Sequence, residues 1–131
     1  MGEQPIHTFR KAERLNSRIL IEKLFSGGSK SFSAFPLRVV YTFSDANIPA
    51  NVSVLISVPK KRFKRAVKRN RVKRQIRESY RTNKQILFDA TTASKQKLLI
   101  AFIWLDNRLY PTSTVEEKVK KLLQLIAERI V

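Results

Sequence analysis

Residues 52–81 read VSVLISVPKKRFKRAVKRNRVKRQIRESYR, an apolar run that passes at Pro59 into a dense series of cations. Before the proline, valine or isoleucine stands at every second position, which is the period-two pattern of a β-strand. Pro59 ends the strand because it has no amide hydrogen to donate to a sheet. Beyond it, Val72, Ile76 and Tyr80 recur at helical spacing and form one narrow apolar stripe. The stretch therefore predicts a strand that leads directly into a basic helix.

Residues 60–81 carry a strong excess of positive charge. They hold twelve lysines and arginines and a single acid, Glu78, so they contribute +11 to the formal +17 of the chain. Like charges at this density repel one another unless a polyanion neutralises them. A merely solvated helix face mixes both signs, because like charges one helical turn apart are destabilising. Clustered cations in a chain of high isoelectric point favour a nucleic-acid partner instead.

Two other partners fit the basic helix less well. A membrane surface requires a wide apolar face opposite the cations, whereas this stripe is narrow. A helix-turn-helix reader of DNA requires a partner helix across a tight turn, whereas predicted strands flank this helix on both sides. Arginine side chains grip phosphates and stack on bases, so we expect RNA as the partner and neither DNA nor a membrane. Aromatic side chains near strands lie more often in the core, but four are candidate stacking surfaces: Phe25, Phe32, Phe35 and Tyr41.

The first half of the chain adds a helix and a second strand. A short helix is expected at 17–25, ended by the glycine pair that follows it, and a strand is expected at 37–43. We expect the strands at 37–43 and 52–58 to pair as a hairpin across the polar turn between them. Residues 26–34 and 89–96 have the composition of loops.

The C-terminal third adds a strand and a helix. The unbroken hydrophobic run 97–105 predicts a central strand that is buried on both faces. Two overlapping capping boxes, which begin at Ser113 and Thr114 with a glutamate three residues after each, open a final helix. The predicted fold class is α+β, with the element order αββαβα in one domain over residues 1–131. The last helix is expected to bury an apolar stripe: Val115, Val119, Leu122, Leu123, Ile126 and Ile130.

Side chains suited to catalysis or metal binding are scarce. The chain has no cysteine and one histidine, His7, in an N-terminal stretch (1–10) that we expect to be flexible. The acids are scattered, and the one adjacent pair, Glu116–Glu117, suits the first turn of a helix. Three glycines form no phosphate-binding motif. We therefore expect no catalytic residue and no metal site in this chain. With no secretory signal and no apolar run long enough for a bilayer, the chain is expected to be soluble and cytoplasmic.

Short motifs stand at fixed spacing in the opening stretch: Val-Pro-Lys-Lys at 58–61, Ala-Val at 66–67, Arg-Asn-Arg-Val-Lys-Arg at 69–74, Ile-Arg-Glu at 76–78, and Arg81. In this strand-to-helix setting they resemble the signature of the protein component of bacterial ribonuclease P. Weaker similarity extends over most of the chain. Pro59 stands where the family usually has serine, and residues 62–65 are bulkier and more basic than the family's glycine-containing turn.

The resemblance implies a fold like the second domain of ribosomal protein S5 and a role in tRNA processing. Family members form a ribonucleoprotein with one large catalytic RNA. That RNA, with bound Mg²⁺, removes the 5′ leader of precursor tRNA as an endonuclease, so the protein is a subunit that supplies no catalytic centre. The protein binds the catalytic RNA and holds the leader in a cleft between the sheet and the first helix.

Two sets of site residues follow from the charge pattern and the resemblance. The residues expected to bind RNA are Lys60, Lys61, Arg62, Lys64, Arg65, Lys68, Arg69, Asn70, Arg71, Lys73, Arg74 and Arg77. The residues expected to line the leader cleft are Phe9, Arg14, Ile21, Phe25 and Arg38. Ile21 stands where many members have an aromatic residue. A structural or assembly protein that binds ribosomal RNA through the same helix is the alternative, because charge alone does not separate the two.

Overall fold

The computed structural model describes residues 14–15, 18–44, 51–94 and 96–130. In chain order the elements are α1 (Arg18–Phe25), β1 (Lys30–Ala34), β2 (Leu37–Ser44), β3 (Val52–Ser57), α2 (Ala66–Asn83), α3 (Gln85–Ser94), β4 (Lys97–Trp104) and α4 (Thr112–Ile130). This is the predicted α+β class, and the passage from strand to basic helix lies at β3 and α2 as expected. The predicted order αββαβα lacks two of these elements, β1 and α3.

The four strands form one sheet in the order β1-β2-β4-β3. β2 is antiparallel to β1 and β4, whereas β3 runs parallel to β4. The predicted hairpin between 37–43 and 52–58 is therefore wrong, because β4 lies between these strands: Ala101 faces Val40 on one side and Leu55 on the other. The central, doubly buried position predicted for β4 is confirmed. The most continuously apolar strand takes the place that exposes it least.

Two elements occupy segments that the composition predicts as loops. The loop prediction for 26–34 is wrong, since these residues contain β1, whose serine-rich sequence has little strand propensity. The loop prediction for 89–96 is also wrong, because α3 continues to Ser94. In α3, Leu87, Ala90 and Thr91 are buried. Packing on the rest of the fold therefore overrides the weak helix propensity of its threonines.

The apolar stripes of the two long helices are confirmed. In α2, Val72, Ile76 and Tyr80 are buried together with two polar residues, Gln75 and Ser79. In α4 the predicted stripe is buried, and its last member is half-buried against the core: Val115, Val119, Leu122, Leu123, Ile126 and Ile130. In the part of the chain that the structure describes, no helix is both long and apolar enough to span a bilayer.

The start of α4 differs from the prediction. The helix begins at Thr112, so Ser113 and Thr114 lie inside its first turn and do not cap it. The carbonyl of Pro111 accepts the first helical hydrogen bonds, from the amides of Thr114 and Val115. Glu116 lies beyond the first turn and accepts a hydrogen bond from Asn83 of α2 at 3.4 Å. The predicted capping boxes are therefore wrong, and this glutamate joins two helices.

The two faces of the sheet are covered unequally. One face packs against α2, α3 and α4 and holds the main core, in which Tyr80 lies against Phe102 with ring centroids 6.2 Å apart. On the other face, among the described residues, a smaller cluster forms where Leu24 of α1 and Leu15 pack on the strands. Gly27 and Gly28 follow α1 with positive φ, so the predicted glycine stop is confirmed. The described residues therefore cover the second face only in part.

Candidate nucleic-acid interface

The basic segment starts in a turn that is anchored at three points. The amide of Arg62 donates to the carbonyl of Pro59 at 3.0 Å. Phe63 is 5% exposed and lies in the main core. The Nη1 atom of Arg69 donates to the carbonyls of Phe63 and Lys64, at 2.8 and 2.9 Å. The backbone of the turn is therefore held in place although five cations lie within 60–65.

The residues predicted to bind RNA lie together on this turn and on α2. Eight are exposed: Lys60, Lys61, Lys64, Arg65, Lys68, Asn70, Arg71 and Arg74. Four are half-buried: Arg62, Arg69, Lys73 and Arg77. These twelve residues form the basic surface. Among the described residues none of them pairs with a carboxylate, and the one acid of α2, Glu78, binds Arg81 at 2.9 Å.

The first turn of α2 adds to the positive potential. Its N-cap residue, Arg65, makes no side-chain capping hydrogen bond, and the first turn has no acidic residue. The amide end of a helix carries a partial positive charge. The Nε atoms of Arg62 and Arg77 are buried without a hydrogen-bond partner, so only the outer nitrogens of these guanidinium groups can face a ligand. The surface therefore offers many donors and no internal anion.

The opposite side of α2 is fastened to the loop before α4 and to α4 itself. The side-chain amide of Gln75 donates to the carbonyl of Tyr110 at 2.9 Å and to the hydroxyl of Thr112 at 3.2 Å. Within that loop, Asp106 accepts hydrogen bonds from the hydroxyl of Tyr110 and from Nε of Arg108, the latter at 3.3 Å. The tyrosine hydrogen bond lowers the pKa of the Asp106 carboxyl below its usual range and raises the pKa of Tyr110. These contacts hold α2 against the fold while the basic surface faces outward.

A row of residues crosses the partly covered face of the sheet. Ser33, Arg38, Ile103 and Ser57 stand side by side on β1, β2, β4 and β3. Arg38 and Ser33 are exposed, and Ile103 and Ser57 are half-buried. The row ends on β3 just before the basic turn. It therefore forms an open sheet row that leads to the basic surface. The sequence predicted that β2 and β3 pair directly. This row exists only because β4 lies between them, so it could not be predicted.

The structure describes four of the five residues predicted for the leader cleft. Phe25 ends α1 and is 49% exposed. Ile21, on the same helix, is half-buried against the smaller cluster. Arg38 lies in the open sheet row, whereas Arg14 bridges to the outer edge of β3. Phe9 lies outside the described residues. α1 and the open sheet row thus lie on one face, and Arg14 lies at its edge.

The four aromatic candidates for stacking divide between core and surface. Tyr41 is buried, and Phe32 stacks on it with ring centroids 5.9 Å apart, so both belong to the covered face. Phe25 and Phe35 are exposed. In the described ranges no three histidine or acidic side chains come together. His7 lies outside the described residues.

A small α+β domain with an unneutralised basic surface beside an open sheet face is a nucleic-acid-binding domain. Residues 9–126 match the family model described as Ribonuclease P. The chain is 43% identical over 130 residues to the ribonuclease P protein component of Porphyromonas gingivalis strain W83, a match that covers 99% of this chain and 94% of that protein. It is 34% identical over 114 residues to the same component of Chlorobaculum tepidum, covering 79% and 71%. The chain belongs to the ribonuclease P protein family.

Solved structures agree with this assignment. The RNase P protein from Thermotoga maritima has a TM-score of 0.64 at 25% identity, over 86% of this chain and 96% of that one. The RNase P protein from Staphylococcus aureus has a TM-score of 0.62 at 20% identity, over 92% and 93%, and shows the fold alone. The chain is thus a protein subunit of ribonuclease P with ribonuclease P RNA as its partner, and the ribosomal-RNA alternative is not favoured.

Proposed function

We propose that the basic surface binds the catalytic RNA of ribonuclease P and that the open sheet row holds the 5′ leader of precursor tRNA. The observation that carries the proposal is the placement of these two features. The row from Ser33 to Ser57 ends just before Pro59, where the basic turn begins. In this proposal the basic surface, which binds the catalytic RNA, lies next to the open sheet row, which binds the single-stranded leader.

The basic surface supports binding to a structured RNA through phosphates. Its cations have no acidic partner among the described residues, so phosphate groups relieve their mutual repulsion. If about six of them meet phosphates, the logarithm of the association constant falls with the logarithm of salt concentration with a slope of about −5 for a duplex and about −4 for a single strand.

The open sheet row supports binding to a single strand. Proteins bind single-stranded nucleic acids with cationic grooves and aromatic side chains on which bases stack. Arg38 supplies a cation in the row, and Phe25 supplies an exposed ring at the end of α1. Ile21 is turned into the smaller cluster and therefore supports α1 more than it offers a stacking surface.

The endonuclease chemistry is proposed to reside in the RNA. The described residues bring no three acids or histidines together, which supports a catalytic centre in the RNA. Magnesium bound by the RNA supplies the hydrolytic chemistry in this proposal, and the protein contributes binding and orientation. We infer that this occurs in the cytoplasm, where precursor tRNA is made in bacteria.

Reconstitution tests the proposal. The purified protein is mixed with ribonuclease P RNA and precursor tRNA at low magnesium, and release of the 5′ leader is followed. We expect strong stimulation by the wild type and a large loss with Arg71→Ala/Arg74→Ala. The control, Lys120→Ala/Lys121→Ala, removes the same charge from exposed positions of α4 and should stimulate normally. No stimulation by a folded wild-type protein, or cleavage by the protein without RNA, would contradict the proposal.

A further inference from the structure

We propose that Arg69 is a positioning residue, which holds the basic turn in shape so that its cations meet RNA, and is not itself a phosphate ligand. The proposal rests on the function proposed above. It separates Arg69 from Arg71, although both belong to the same Arg-Asn-Arg motif. In this proposal Arg69 contacts the backbone of the protein, and Arg71 contacts the RNA.

The hydrogen bonds of Arg69 carry the proposal. Its Nη1 atom lies 2.8 Å from the carbonyl of Phe63 and 2.9 Å from the carbonyl of Lys64. A guanidinium Nη atom has two hydrogens, and two carbonyl acceptors use both. Arg71 is exposed and makes no hydrogen bond or ion pair with a described residue. Before any RNA arrives, Arg69 is therefore bonded to the backbone, whereas Arg71 has no partner among the described residues.

The start of α2 needs the support of these two hydrogen bonds, which we call the clamp. Arg65 stands at the N-cap without a side-chain capping bond, and the first backbone hydrogen bond, from the amide of Arg69 to the carbonyl of Arg65, is long at 3.4 Å. The side chain of the same arginine bonds the two carbonyls just before Arg65. Arg69 thus compensates for a weak helix start by holding the chain that enters it.

The clamp acts against electrostatic repulsion. The turn carries five cations in six residues, which favour a more open backbone when no anion is present. Phe63 fixes one point of the turn in the core, and Arg69 fixes the next two carbonyls. A surface already shaped in the free protein loses less conformational entropy on binding than one that must order. Lys64 and Arg65 would therefore reach RNA in a defined geometry because Arg69 is bonded behind them.

Affinity for ribonuclease P RNA, measured over a salt series, tests the proposal with Arg69→Ala and Arg69→Lys. Lysine keeps the charge but lacks the planar fork of arginine. If Arg69 positions the turn, Arg69→Lys should not restore affinity, and its salt slope should stay shallower than that of the wild type because neighbouring cations have lost contacts. If Arg69→Lys restores both affinity and slope, Arg69 is a phosphate ligand and the proposal is wrong.

Double-mutant cycles supply a readout that a general loss of stability does not produce. Arg65→Ala should weaken binding less in the Arg69→Ala background than in the wild type, by a factor of at least about 3, whereas Arg74→Ala should act independently. Arg74 is the matched control, since it is an exposed arginine of the same helix outside the turn. Independent effects at both positions would overturn the proposal.

Amide hydrogen exchange of the RNA-free protein checks the clamp itself. Both Arg69 variants should show faster exchange at 62–66 and unchanged exchange in β4. If Arg69→Ala does not fold, all comparisons are made with Arg69→Lys. The proposal is then contradicted if residues 62–66 of Arg69→Lys exchange as slowly as those of the wild type. A wild-type protein without salt-dependent affinity for the RNA would contradict the proposed function instead.

Discussion

Gln75 of α2 donates its side-chain amide to the backbone carbonyl of Tyr110, 2.9 Å away, and this bond joins the basic helix to the loop between β4 and α4. The residue is 6% exposed, so the bond is made in the interior. A buried amide that loses its partner is strongly unfavourable, and this helps to give α2 one orientation. Gln75, one of two polar residues on the buried side of α2, thus helps to fix the orientation of the basic surface on the fold.

Gln75→Ala is expected to destabilise the protein by about 1–3 kcal/mol, because the carbonyl of Tyr110 loses its donor in a partly buried position. Chemical denaturation measures the change in the free energy of unfolding. The control is Gln124→Ala, an exposed glutamine on α4, which should change that free energy by less than about 0.5 kcal/mol. Equal stability of Gln75→Ala and the wild type would show that this bond contributes nothing.

Arg71→Ala is expected to lower the salt slope of RNA binding by roughly 0.7–0.9, the contribution of one phosphate contact. The reason is that Arg71 is exposed and has no partner among the described residues. Affinity measured over a series of salt concentrations gives the slope. Lys121→Ala, on the exposed side of α4, should leave it unchanged. An unchanged slope in Arg71→Ala would remove this residue from the interface.

The change from β3 to α2 could be predicted because the apolar residues recur at every second position in the strand and at helical spacing after it. Val72, Ile76 and Tyr80 then mark the buried side of the helix directly. The pairing of the strands could not be predicted in the same way. Strands that are neighbours in the chain usually pair, but the apolar run of β4 is best buried between two partners, so β4 separates β2 from β3.

The sequence predicts which residues make up the candidate site, but it does not predict how they are arranged. Charge and motif identify the cations of α2, and helical phase separates Arg69 from Arg71. The role of Arg69 depends on where the carbonyls of Phe63 and Lys64 point, which is a property of the turn backbone. The open sheet row likewise depends on the register of three strand pairs, which no local pattern reports.

The bond between Asp106 and Tyr110 predicts a pH dependence of stability. Because the bond lowers the pKa of Asp106, its contribution is present above the pKa of an unfolded aspartate and is lost as pH falls through the folded pKa. Because the pKa of Tyr110 is raised, the contribution is also lost as pH rises through the folded pKa of the tyrosine. Tyr110→Phe keeps the ring against Trp104 and removes only the hydroxyl.

The measurement is the free energy of unfolding of wild type and Tyr110→Phe across pH. The difference should be largest near neutral pH and should shrink in acid. Asp106→Asn removes the negative charge, and the two substitutions together should cost less than the sum of their separate effects, because both weaken the same hydrogen bond. A difference that does not change with pH would exclude the ionised carboxylate as the source.

Phe25→Ala is expected to weaken binding of precursor tRNA to the reconstituted enzyme by about 1–3 kcal/mol if one leader base stacks on this ring. Binding of mature tRNA, which has no leader, should be unaffected by the same change. The matched control is Phe88→Ala on α3, because that phenylalanine is 47% exposed and Phe25 is 49% exposed. The two variants lose the same side chain at equal exposure, and only one lies on the helix beside the open sheet row. If both variants lose the same affinity for precursor tRNA, or if Phe25→Ala also weakens binding of mature tRNA, the leader does not stack on Phe25.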